Sequence, residues 1–210
     1  MSRARPTLAA VIHRPGGFTL IELMVTLTLL SLLLMLAVPS FTEWIRNNQI
    51  RSTAESLQNA LRTAKSRAVN LNRQVVFVTT AANPAENALG AANALNWYAQ
   101  IVPRTAGEES TLVVYLEGGS LAPSSSGITV TGGPASICFN SVGRMVANAT
   151  PSSSTDVPAC TAPAGGETFL ISRSGAVAGK DRRMRVTVST GGQIRMCDPD
   201  RPSTSPEACI

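Results

Sequence analysis

The chain has 210 residues, 44% of them hydrophobic and only 4% aromatic, with a formal net charge of +5. That length allows one domain plus an anchor. So few aromatic residues argue against a base-stacking platform for single strands, and so modest a charge leaves any nucleic-acid role to local clustering.

Residues 1–17 carry Arg3, Arg5 and Arg14, no acid, and His13, the single histidine of the chain. The basic stretch favours the cytoplasmic side of a membrane. It lacks the apolar region and small-residue cleavage site of an ordinary secretory signal. Its removal would take 3 of the 18 basic residues and leave 15 against 13 acids, a net charge of +2. It would also leave no histidine, and with it no Ser-His-Asp triad, Cys-His pair or imidazole metal site. No GxSxG, GxGxxG, P-loop or CxxC motif is present. Lys65 and Lys180 could in form serve Ser-Lys chemistry, but nothing around them suggests it. The expectation is a protein that is not an enzyme and holds no metal and no cofactor.

From Phe18 to Phe41 run 24 residues in which Glu22 is the only charge. A helix of that length crosses the roughly 30 Å hydrocarbon core of a bilayer. A carboxylate inside it costs about 2.5–3.5 kcal/mol on insertion scales, so a partner is needed. If the chain is cut after Gly17, Phe18 becomes a new N-terminus, and a neighbouring copy can present its ammonium to Glu22. The plain alternative is an uncleaved anchor with a stray glutamate. The string Gly16-Gly17-Phe18-Thr19-Leu20-Ile21-Glu22 resembles the class III signal of type IV prepilins and type II secretion pseudopilins. The resemblance implies cleavage between Gly17 and Phe18 by a prepilin peptidase, methylation of the new amine, and use of Glu22 in assembly.

Pro39 falls inside the helical pattern and removes one backbone donor, which predicts a kink or loosened turn there. Phe41 and Trp44 suit a membrane–water interface. Beyond them Ile50, Ala54, Leu57, Leu61, Ala64, Ala68 and Leu71 follow steps of 4 and 3, an apolar helical stripe, while Arg46, Arg51, Glu55, Arg62, Lys65 and Arg67 lie off it. The pattern predicts one helix over 18–71, roughly 80 Å at 1.5 Å per residue. Residues 18–41 form its membrane or filament-core half, and residues 42–71 its amphipathic half, buried against a head.

After Asn72 the period changes. Short β-rich runs occur at 74–80, 95–102, 111–116, 127–131, 135–140, 167–172, 183–189 and 193–197. Loops rich in Gly, Ser, Pro, Ala and Asn fill 81–94, 117–126, 148–166 and 198–208. With no second long helical pattern, residues 72–210 should form antiparallel sheets against the helix, and the class is α+β.

Four cysteines in an exported head read as two disulfides. Three pairings are possible and the sequence does not choose among them. Sequential pairing, Cys138–Cys160 and Cys197–Cys209, is favoured because each bridge staples a loop that lacks a core of its own, for about 3 kcal/mol each on the chain-entropy model. The metal-site alternative lacks close cysteine pairs and histidines.

The stretch 52–69 and the segments 182–189 and 193–197 are similar to the helix end and the final hairpin of the FimT/FimU/GspH family. With the N-terminal signal, the resemblance spans most of the chain. It implies a type IV pilin-like fold, a long N-terminal helix on an antiparallel head. It implies a minor pilin or pseudopilin, anchored in the bacterial inner membrane by a single pass with its head in the periplasm, then carried at or near the tip of a pilus or pseudopilus. The partners implied are major and minor pilins or pseudopilins, the prepilin peptidase and the inner-membrane assembly platform. The expected role is to help initiate or cap a type IV pilus; one alternative is a tip pseudopilin of type II secretion. The other alternative is a minor pilin binding double-stranded DNA for natural transformation, through Arg182, Arg183, Arg185, Arg195 and Arg201. On the expected strand Arg183 and Arg185 share one face, with Val186 and Val188 on the other. The resemblance places a Gly-Arg-x-Arg motif at this hairpin; here it reads Gly192-Gln193-Ile194-Arg195, with Gln193 where one arginine would stand. The bland reading of these arginines is a solvated strand face with counter-charges nearby.

Overall fold

A computed structural model of the chain describes residues 17–104, 108, 114–123, 127–147, 158–179 and 181–209, with the side chains of 36, 37, 39 and 40 outside that set. The leader before Gly17, residues 111–113 of one expected strand, most of the 148–166 loop and Lys180 lie outside the described residues. The chain divides into two compact units, residues 1–44 and 45–210, and helix α1 (Leu20–Asn70) contributes to both.

In the first unit, Thr19 caps the helix: its Oγ1 accepts a hydrogen bond from the Glu22 amide at 3.3 Å. Threonine at the cap and glutamate three residues on is the capping-box pattern, and an acid in the first turn complements the helix dipole. The apolar side chains that follow are all exposed, Leu20 at 77% and Leu30 still at 52%. The polar residues among them satisfy themselves locally. Thr26, Thr28 and Ser31 donate back to the carbonyls of Leu23, Val25 and Thr28 at 2.8–2.9 Å, which spares their hydroxyls a desolvation cost away from water. The backbone stays helical through position 39. Phe41 and Trp44 stack with ring centroids 5.8 Å apart. Among the described residues, no helix is long and apolar enough to cross a membrane; the side chains of this stretch are described without a gap as far as residue 35.

In the second unit, the predicted stripe becomes one wall of the core, with Ile50, Ala54, Leu57, Leu61, Ala64 and Ala68 buried. Leu71 departs from expectation and is exposed. The helix stops first, in a Schellman motif: Asn72 takes a left-handed φ of 50°, its amide donates to Val69 O, and the Arg73 amide donates to Ala68 O. Leu71 therefore occupies the cap, off the helical face.

Among the described residues the strands pair antiparallel throughout, and one isolated bridge, Asp198 to Ala208, is parallel. β1 (Val75–Thr80), β2 (Asn96–Ile101), β3 (Tyr115–Ser120), β5 (Ser136–Phe139) and β6 (Met145–Val146) form one sheet in the order β3-β2-β1-β5-β6. β4 (Ile128–Thr131), β7 (Glu167–Arg173), β8 (Met184–Val188) and β9 (Ile194–Cys197) form a second in the order β4-β7-β8-β9. Alternation along the strands sends Phe77, Ile137 and Phe139 from the first sheet, and Phe169, Ile171 and Val186 from the second, into one core with the helix stripe. The opposite face of the first sheet carries Val76, Val78, Tyr98 and Cys138 in a smaller cluster. The loop before β2 closes over it. Tyr98 donates its hydroxyl to Ala88 O at 2.6 Å, and Gln100 Nε2 donates to Asn87 Oδ1 at 2.8 Å.

Two strands differ from the sequence reading. β3 runs over 115–120 rather than 111–116, so it takes in residues expected to be loop. Gly118 shows why: a Cβ there would come within 2.7 Å of Trp97 O and of Pro84. Close approach of β2 and the preceding loop requires a glycine that strand propensity disfavours. β6 is only two residues long, too short for any alternation to register.

Candidate functional site

Gly17 and Phe18 precede the helix and are both exposed, and a Cβ on Gly17 would meet nothing within 4 Å. Space alone therefore does not select glycine there in the isolated chain. Glu22 lies one helical turn on, its carboxylate exposed and its amide held by Thr19.

The structure joins Cys138 to Cys160 and Cys197 to Cys209. The first bridge lies on the outer face of the five-stranded sheet, in the smaller cluster. The second closes the tail onto β9. Inside that loop the Asp198 amide donates to Glu207 O at 2.7 Å, and the Asp200 amide donates to Asp198 Oδ1 at 3.0 Å. The stapled tail is thus a built surface, not a bare tether.

The tail also reorganises the basic hairpin. Asp200 receives Arg183 through both carboxylate oxygens, with Nε to Oδ2 at 2.9 Å. This hydrogen bond holds the Asp200 carboxyl below its ordinary value and raises the Arg183 guanidinium above its own. Arg201 lies 3.7 Å from Asp198 and 3.9 Å from Glu207. Arg173, at the end of β7, pairs with Asp181 at 3.2 Å. Arg182 is half-buried, and its Nε is enclosed without a hydrogen-bond partner among the described residues. Of the five arginines singled out, Arg185 and Arg195 line an open cleft and make no ion pair among the described residues, although the charge of Asp200 reaches Arg185.

Met184, Val186 and Val188 point into the core, which turns Arg185 and Thr187 outward. Register sets Thr187 opposite Arg195 and Arg185 opposite Cys197, on that same outer face. The hairpin between them turns at Gly192, with φ at +75°. A side chain there would meet Gly143 O at 1.9 Å, so only glycine serves. Gln193 is exposed beside it. Sequence reasoning missed Arg62, which reaches this face from α1. Its signal was present, since it follows Leu61 at the edge of the apolar stripe, but the strand partner was not readable.

A long N-terminal helix with a disulfide-stapled antiparallel head is a type IV pilin-like fold. Residues 12–38 match the prokaryotic N-terminal methylation motif, and residues 53–205 match the type II transport protein GspH family. The chain belongs to the GspH family. Among solved structures it is similar to the type IV minor pilin FimU of Pseudomonas aeruginosa (18% identity, 78% of this chain, 96% of that one, TM-score 0.48). It is also similar to the minor pseudopilin EpsH of the Vibrio cholerae type 2 secretion system (13%, 73%, 99%, TM-score 0.43) and to E. coli GspH (10%, 76%, 94%, TM-score 0.41). No curated protein matches it in a sequence search.

Proposed function

We propose that this chain is a minor pilin that helps initiate or cap a type IV pilus. It enters the filament after cleavage between Gly17 and Phe18. The observation that carries this reading is the first unit: an apolar helix with every described side chain exposed and Glu22 its only charge before Phe41. Such a surface has no stable place in water. A bilayer and then neighbouring subunits supply its surroundings, with the Phe18 ammonium of one subunit meeting Glu22 of the next. The inner membrane, its assembly platform and the prepilin peptidase are the partners this route requires, and the head then lies on the periplasmic side.

The test is Glu22→Ala in cells. The variant should be cut to begin at Phe18 and remain membrane-bound, yet fall at least severalfold in sheared filaments. Normal incorporation, or a mature N-terminus other than Phe18, refutes the proposal. A second reading, a tip pseudopilin of type II secretion, is favoured by the family description. Deleting the gene separates the two, through loss of surface pili in one case and of exported enzymes in the other. Binding of duplex DNA by this head would rest on Arg185 and Arg195 with Arg62, because Arg183 and Arg201 already have carboxylate neighbours.

A further inference from the structure

On the outer side of the basic hairpin, a cleft of about 480 Å³ lies between α1, β8, β9 and the stapled tail. Arg62, Arg185 and Arg195 line it, and among the described residues no carboxylate does. None of these three makes an ion pair among the described residues, whereas Arg51, Arg67, Arg73, Arg173, Arg183 and Arg201 each have a carboxylate within 4 Å. The nearest acid in the strand is Glu167, beside the lining residue Thr168, and alternation turns it to the opposite face. Three guanidinium groups converge here with no ion-pair contact among the described residues, Asp200 acting on Arg185 only through space, and together they focus a positive potential into the cleft. Lys65 extends the same character into an adjoining recess of about 280 Å³ beside Gln193.

The rest of the lining is mixed: Gln58, Thr168 and Thr187 are polar, Pro206 and the Cys197–Cys209 bridge are apolar, and Ile194 and Met196 belong to the core side of β9. This combination selects among anions. A duplex presents phosphates on a convex, wholly polar backbone and leaves the Pro206 and disulfide wall unmatched. A peptide with carboxylates set between aliphatic side chains matches both the arginines and the walls. It has little access to the sheet edge as an added strand, because α1 covers it. Gln58 donates to Ile194 O at 3.5 Å, and Lys65 Nζ donates to Gly192 O at 2.9 Å.

We propose that this cleft is a docking site for an acidic, aliphatic peptide segment of a partner protein, gripped by Arg62, Arg185 and Arg195 against a wall that the C-terminal disulfide holds in place. The proposal is independent of whether the filament is a pilus or a pseudopilus.

The test uses the full mature chain in detergent micelles and fluorescence anisotropy. The probe is a labelled octapeptide alternating glutamate and leucine; its glutamine counterpart, a 20-base-pair duplex and inorganic phosphate are competitors. The acidic peptide should bind. Arg185→Gln and Arg195→Gln should each weaken it about tenfold, since a charge-assisted hydrogen bond contributes on that scale. Arg201→Gln, outside the cleft, should change it less than twofold. Joint replacement of Cys197 and Cys209 by serine should weaken binding by removing the tail wall, with far-ultraviolet circular dichroism showing that the sheets persist. The proposal is overturned if the glutamine peptide binds equally, if the arginine variants bind like the parent, or if the duplex or millimolar phosphate displaces the peptide more readily than unlabelled peptide does.

Discussion

The two units of this chain handle the same kind of residue in opposite ways. Leu30 in the first is half exposed, and Leu57 in the second is fully buried, although both lie on helix α1. The second unit supplies its own apolar surroundings from two sheets and closes two loops with disulfides. The first satisfies only its polar groups, by capping and back-bonding, and leaves its leucines to whatever surrounds it. Helical structure is therefore no guide to where stability resides. One region is complete in itself, and the other leaves its apolar surface open.

The sharpest way to break this contrast is one substitution made in both halves. Leu57→Ala should destabilise the head by about 3 kcal/mol through lost burial and a residual cavity, lowering its melting temperature by roughly 6–12 °C. Leu30→Ala should leave that temperature unchanged. Calorimetry on both variants decides the matter, and equal effects would mean that the units fold as one.

The tail bridge should come next. Replacing Cys197 and Cys209 by serine should cost about 2–3 kcal/mol. Hydrogen exchange should show the loss concentrated in 198–208, with the core stripe still protected.

Alkaline titration should yield a comparable effect at most. Burial pushes the Tyr98 hydroxyl up to about 12. Its folded pKa exceeds the unfolded one, so the stability it lends is complete below about pH 10 and disappears as pH rises toward 12. The loss should reach about 2–3 kcal/mol, and Tyr98→Phe should flatten this limb of the stability curve.

The smallest expected effect is on the acid side. Asp200 has its folded pKa held down, mainly by the Arg183 hydrogen bond. Its contribution is therefore present above the ordinary carboxylate value of about 3.9 and fades as pH falls through the lower folded value. For a partly exposed pair this amounts to under about 1 kcal/mol. Arg183→Gln should remove that acid dependence and change little at neutral pH.

Much of this molecule was legible because its signals are local. The 4 and 3 spacing from Ile50 to Ala68 foretold which face of α1 is buried, since helical geometry ties spacing to direction. Most strands announced themselves through alternation. β3 did not, because Gly118 is there for the sake of Trp97 and Pro84, which are distant in sequence. The arginines were the least legible, since nothing in residues 182–185 reveals that Arg183 makes an ion pair with Asp200 while Arg185 does not.

By itself the sequence determined the N-terminal signal, the helix and its buried face, and the α+β class, all properties of spacing along one chain. Only the tertiary structure decided which cations are neutralised and which converge. It brings Arg62 of the helix beside Arg185 and Arg195 of the sheet, and it folds the tail acids onto Arg183 and Arg201. The physical reason is range. Backbone preference and amphipathic periodicity act over one or two turns, whereas a charge answers to whatever lies within a few ångströms in space, however far away in sequence.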